Sequence, residues 1–134
     1  MPLDGRPLQR WLEDPGWRGK VGFIGTPFFD TVAMDFLRIA PEGLAISQTF
    51  PYMKNFKVRA KNLSEAVQKL EECAEALAEV GSDIIAQIGT PFSFASEGGL
   101  NFTKKLHAKL ERKTKTPIVM MGLSIINAIK AQGY

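Results

Sequence analysis

Two segments of this chain share the form Gly-Thr-Pro-Phe: Gly25-Thr26-Pro27-Phe28, followed by Phe29, and Gly89-Thr90-Pro91-Phe92, followed by Ser93. Glycine lets backbone N–H groups approach a ligand, threonine and serine hydroxyls add donors, and a helix N-terminus behind them favours negative charge. Such residues suit a small carboxylate or phosphate held beside an apolar group. The same run after a strand is also an ordinary turn, and both readings stand at this point. Cys73 lies beside the apolar face of an acidic segment and reads as a buried, inert thiol. His107 falls among lysines and reads as solvated. The dinucleotide fingerprint, the phosphate-binding loop with its lysine, the metalloprotease helix and the Gly-x-Ser-x-Gly elbow are all absent from the sequence. One cysteine and one histidine supply neither a disulfide nor the usual ligands of a zinc site.

The elements that must position these residues follow from periodicity. Val21-Gly22-Phe23-Ile24 is a short apolar run ended by Gly25-Thr26-Pro27, which predicts a central strand and a turn. Asp30 or Thr31 can cap a helix to about Arg38, which Pro41-Glu42-Gly43 then breaks, and Leu44 to Phe50 is the second strand. From Asn62 to Val80, Leu63, Ala66, Val67, Leu70, Ala74, Leu77 and Val80 line one face of a helix, with Asn62 or Ser64 as cap and Gly81 as stop. Ile84 to Ile88 is a third strand, Leu100 to Lys113 a helix with Leu106 and Leu110 inward, and Pro117 to Met121 a fourth strand. Ser124 is expected to cap the last helix.

Strands alternating with amphipathic helices predict an α/β fold: a flavodoxin-like parallel sheet of about four strands with helices on both faces. In such sheets ligands collect at the carboxyl ends of the strands, which here carry Gly25-Thr26-Pro27, Phe50-Pro51-Tyr52, Gly89-Thr90-Pro91 and Gly122-Leu123-Ser124. The last strand is expected to leave an apolar edge that a second half or a second chain should cover.

Composition agrees with one globular domain. The chain has 134 residues, 45% hydrophobic and 23% charged, which excludes a disordered or fibrous polymer. It divides into a polar leader over 1–19 and a single α/β domain over 20–134. No window is apolar enough to span a membrane and the leader lacks the centre of a signal peptide, so a soluble, cytoplasmic protein is expected. The net charge is only +3, but it is unevenly spread: residues 104–115 carry a net +5 and residues 62–83 a net −5. Two oppositely charged helices read as solvated or mutually screened faces, which disfavours nucleic acid as a partner.

Three stretches together resemble one family in order and spacing: Gly16 to Ile24, Asp35 to Gly43 with its Arg-x-x-Pro-Glu-Gly, and Gly89-Thr90-Pro91-Phe92-Ser93-Phe94. The chain resembles the amino-terminal half of the maleate isomerase and arylmalonate decarboxylase branch of the aspartate/glutamate racemase superfamily. The resemblance implies two similar α/β halves with the site between them and no metal or organic cofactor. It implies a small mono- or dicarboxylic acid as substrate, and an enediolate held by the threonine loop while a cysteine of the second half delivers the proton. Thr90 stands where racemases and the isomerase carry a cysteine, which points toward the decarboxylases. Carried over, Gly89 and Thr90 would bind the carboxylate, with Thr90 the catalytic group, and Ser93 would shape the loop. Pro91 replaces a serine and brings no N–H. Thr26, Pro27 and Phe29 stand where the isomerases carry a polar run, and Phe28, Phe29 and Phe92 would give apolar walls instead; Tyr52, at the end of the second strand, is a further candidate for the pocket from its place in the sheet. A single chain of this kind is expected to be catalytically incomplete, so a homo-oligomer or a complementing second half is implied. The alternative is a carboxylate-binding or interaction module that keeps the half-fold without the chemistry.

Overall fold

A computed structural model of the chain describes residues 15–90 and 99–134. Residues 1–14 of the polar leader, and Pro91, Phe92, Ser93 and Phe94 of the second loop, lie outside the described residues.

Four strands, β1 (Gly19–Ile24), β2 (Leu44–Thr49), β3 (Ile84–Gln87) and β4 (Ile118–Met120), form one sheet in the order β2-β1-β3-β4. All pairs are parallel: Ile24 lies beside Thr49 on one side and Gln87 on the other, and Gln87 lies beside Met120. The described helices are α1 (Val32–Ile39), α2 (Ala60–Gln68), α3 (Leu70–Glu79), α4 (Gly99–Thr114) and α5 (Met121–Ala131). This is the predicted flavodoxin-like arrangement, and its strand order reverses between β1 and β3.

Strand alternation divides the core between the two faces of the sheet. On one face Ile24, Ile85, Ile118 and Met120 meet Val67 of α2, Leu70, Ala74 and Leu77 of α3, and Leu110 of α4. A side chain at Gly22 would put a Cβ 3.1 Å from Leu77 Cβ and 2.7 Å from Ser82 Oγ, so the glycine is what lets α3 lie against the central strand. The other face is thinner: Phe23, Ala33 and Ile88 form its centre, and Phe23 meets Phe36 of α1 edge to face at 5.4 Å.

Local readings need three corrections. The single helix expected over 62–80 is two, because at Lys69 the backbone N–H bonds back to Ala66 O and the chain continues as α3. The apolar stripe of Ala66, Val67, Leu70, Cys73, Ala74 and Leu77 runs unbroken across that point, so the break costs no burial. The first of these helices starts after Arg59 with no side-chain cap, rather than at Asn62 or Ser64. The stop at Gly81 is as expected: its φ is +85°, and Gly81 and Ser82 N–H groups take the carbonyls of Ala78 and Leu77. Ser124 caps nothing, because α5 begins at Met121, directly out of β4.

The remaining correction concerns the edge. Ile118 of β4 has its N–H taken by Glu111 Oε1 at 2.9 Å and its carbonyl by His107 Nε2 at 2.6 Å. His107 is therefore a half-buried partner of the edge strand, not a solvated residue, and α4 itself blunts the edge that the sequence leaves open.

Candidate functional site

The crevice between the carboxyl ends of β1 and β3 is the point where crossovers leave in opposite directions, and it is where an open α/β sheet binds ligands. The strand ends are tied together there: Gly25 N–H donates to Thr49 O at 2.7 Å and Ile88 N–H to Ile24 O at 2.9 Å. Thr26 therefore leaves β1 beside the point where Gly89 and Thr90 leave β3.

The first loop folds around Asp30. Its Oδ2 accepts from the Thr26 N–H at 3.3 Å and lies 3.2 Å from the Thr26 hydroxyl, which also reaches Phe28 O at 2.9 Å. Its Oδ1 accepts from the Val32 N–H at 3.1 Å, at the start of α1. The N-terminus of α1 is thus occupied by the chain's own carboxylate, and Thr26 is buried in its bracket. Gly25 is close-packed as well, since a Cβ there would lie 2.9 Å from Gln48 Nε2.

Above this bracket opens a cavity of about 540 Å³ lined by Thr26, Pro27, Phe28, Phe29, Asp30, Gln48 and Phe50. Its walls are mainly aromatic: Phe28 packs toward Phe56 at 6.1 Å, while Phe29 is fully exposed at the rim. The structure so brings together Thr26, Pro27, Phe28 and Phe29, as the sequence suggests. Gln48 of β2 and Phe50 just past its end join them, and Gln48 was beyond the reach of pattern because a polar residue on a half-exposed edge strand is unremarkable.

Tyr52 does not join that group. It lines a second depression of about 280 Å³ with Thr49, Pro51, Lys69, Glu72 and Cys73, and Phe50 stands between the two. Lys69 Nζ donates to the Tyr52 carbonyl at 2.6 Å and sits 5.9 Å from its ring. Cys73 is buried here, and burial together with the Glu72 charge pushes its thiol pKa up against the opposing hydrogen bond with Thr49. A neutral, shielded thiol is a poor nucleophile.

Gly89 and Thr90 line neither cavity; both are half-buried at the end of β3. Gly89 has a φ of +94°, a conformation that a side chain would strain, and Thr90 itself is helical. The crevice therefore offers a backbone and hydroxyl pair on the β3 side and an apolar, aromatic wall on the β1 and β2 side. Such a pair can hold an anion without a cation. Among the described residues no group of three His, Cys, Asp or Glu side chains could hold a metal ion, and no helix is long and apolar enough to cross a membrane.

Comparison with known proteins adds family and fold. Residues 30–134 match the family model described as arylmalonate decarboxylase. Among solved structures, a double mutant of arylmalonate decarboxylase in the liganded form superposes with a TM-score of 0.71 at 21% identity, covering 86% of this chain and 47% of that one. The maleate isomerase of Pseudomonas putida S16 with maleate gives a TM-score of 0.69 at 20% identity, covering 86% and 49%. Unliganded arylmalonate decarboxylase gives 0.64 at 21% identity, covering 86% and 47%. The chain thus spans about half the length of the structures it resembles. No curated protein sequence matches it.

Proposed function

The chain belongs to the arylmalonate decarboxylase family, and from that premise we propose that the β1/β3 crevice binds a small mono- or dicarboxylic acid and stabilises it as an enediolate. The observation that carries this reading is the Gly89-Thr90 turn at the carboxyl end of β3, the strand next to β1, whose own end carries the aromatic cavity.

The chemistry asks for both sides. When one carboxylate of a substituted malonate leaves as carbon dioxide, the electron pair of the broken C–C bond moves into the remaining carboxylate and makes an enediolate. Donors fixed at that carboxylate bind the enediolate more tightly than the substrate, so they lower the barrier rather than only the ground state. Thr90 would supply its N–H and hydroxyl, with no metal or organic cofactor taking part. The wall of Pro27, Phe28, Phe29 and Phe50 would hold the hydrophobic substituent and strip water from the departing carboxylate. A proton must then reach the α-carbon. Cys73 lies in the other depression, so we assign that proton to a group from outside this chain, from a second copy or a complementing half seated over the strand ends. The exposed Phe28, Phe29, Phe50 and Tyr52 of that face support such a covering. A cytoplasmic location goes with this reading.

Titration of the purified chain with phenylmalonate tests it. Thr90→Val keeps the shape and removes the hydroxyl, and should weaken binding about 10-fold or more, the worth of one hydrogen bond to a charged group. Unchanged affinity would overturn the assignment. The placement of Cys73 favours a second reading, a carboxylate-binding module without catalysis. Release of carbon dioxide that depends on Thr90 would exclude that module, whereas saturable binding without turnover in every oligomeric form would establish it.

A further inference from the structure

Gln87 is an anomaly of the core. It is 2% exposed, and its register neighbours on the two sides are Ile24 and Met120, both in the main apolar cluster. An amide placed there costs stability unless its polar atoms are bonded. Its Nε2 donates to the carbonyls of the next two residues, Ile88 at 2.5 Å and Gly89 at 3.1 Å.

The second of these bonds has a directional consequence. The peptide joining Gly89 to Thr90 is planar and trans, so its C=O and N–H point in opposite directions. With the Gly89 carbonyl drawn to Gln87, the Thr90 N–H is turned the opposite way, away from the apolar cluster in which Gln87 lies. Glycine by itself would not fix this, because Gly89 tolerates conformations that would leave the peptide in either sense. We propose that Gln87 is a positioning residue: it locks the Gly89–Thr90 peptide with its N–H outward and so presents the donor that meets the substrate carboxylate. This deepens the carboxylate-binding reading and rests on it. An anchored donor costs no reorganisation when the anion arrives, which is what makes a fixed donor more effective than a mobile one.

The test separates the lock from the ligand. In the full chain without ligand, the residual dipolar coupling of the Thr90 N–H reports the direction of that bond. Gln87→Met, which keeps the length and loses both donors, should change this coupling while those of Val21 and Ile85 stay as they are. An unchanged Thr90 coupling overturns the proposal. Phenylmalonate affinity should fall about 10-fold in Gln87→Met, and equal affinity in the two proteins also overturns it. Gln87→Glu retains the shape and can donate only when protonated. Its affinity relative to the parent should be restored toward low pH and lost as the carboxyl ionises; a flat ratio counts against the lock. If the parent chain fails to bind phenylmalonate while the Thr90 coupling still moves in Gln87→Met, the carboxylate reading fails and the peptide lock stands.

Discussion

At the scale of residues, the site divides its polar groups between those already used by the fold and those left for a ligand. Asp30 satisfies Thr26 and Val32, which removes the α1 end as an anion site. In the proposed function the anion chemistry falls to Thr90 on the β3 side. Cys73 belongs to neither task. Its thiol is buried with a raised pKa, so it should react with a thiol reagent far more slowly than a free cysteine at neutral pH, and Cys73→Ala should leave phenylmalonate affinity unchanged. Rapid labelling of the native chain, or lost affinity in the variant, would contradict this. That the thiol is buried was legible from its place beside the apolar face, and Asp30 was one of the two candidates, with Thr31, for the start of α1. Gln87 was not legible, because its function lies in two backbone carbonyls that only the turn after β3 brings within its reach.

At the scale of elements, the acidic and basic helices screen each other as their sequences suggest. Glu71 of α3 is bridged to Lys109 of α4 at 2.5 Å and to Lys113, which also reaches Glu75 at 3.0 Å. Hydrogen bonds from Lys109 and Lys113 hold the Glu71 carboxyl down at about 2, against an ordinary value of 4.5. Because the folded state prefers the ionised form, the bridge stabilises fully above about pH 4.5 and is lost as the pH falls toward 2. It is a surface bridge, so its effect is small and screened by salt. Glu71→Gln should flatten the fall in urea midpoint between pH 4.5 and 2 at low salt and change little at high salt; an identical acid profile in both proteins would contradict the bridge. The break at Lys69 was hidden from the sequence because the apolar period continues through it. Likewise, Ser124 looked like a cap because its type suits one, yet β4 is only three residues long and passes straight into α5.

At the scale of the whole molecule, the order of strands and the division of the core were legible from apolar runs and turns, while the state of the edge was not. Ile118 is served by His107 and Glu111 from α4, and these contacts depend on how α4 folds back along β4. Pairing through that edge is thereby disfavoured, and the exposed aromatic strand-end face is the surface that the proposed function has covered. Light scattering should accordingly give the mass of a dimer that Phe29→Asp converts to a monomer; a monomer at every concentration would contradict pairing between copies. The central claim is carboxylate binding at the crevice between β1 and β3, and the most direct measurement is a phenylmalonate titration followed through the backbone amide resonances. Saturable shifts are expected at Gly25, Thr26, Gly89 and Thr90, abolished or weakened in Thr90→Val, with Tyr52 and Cys73 unmoved. Shifts centred on Tyr52 and Cys73, or none that saturate, would contradict it.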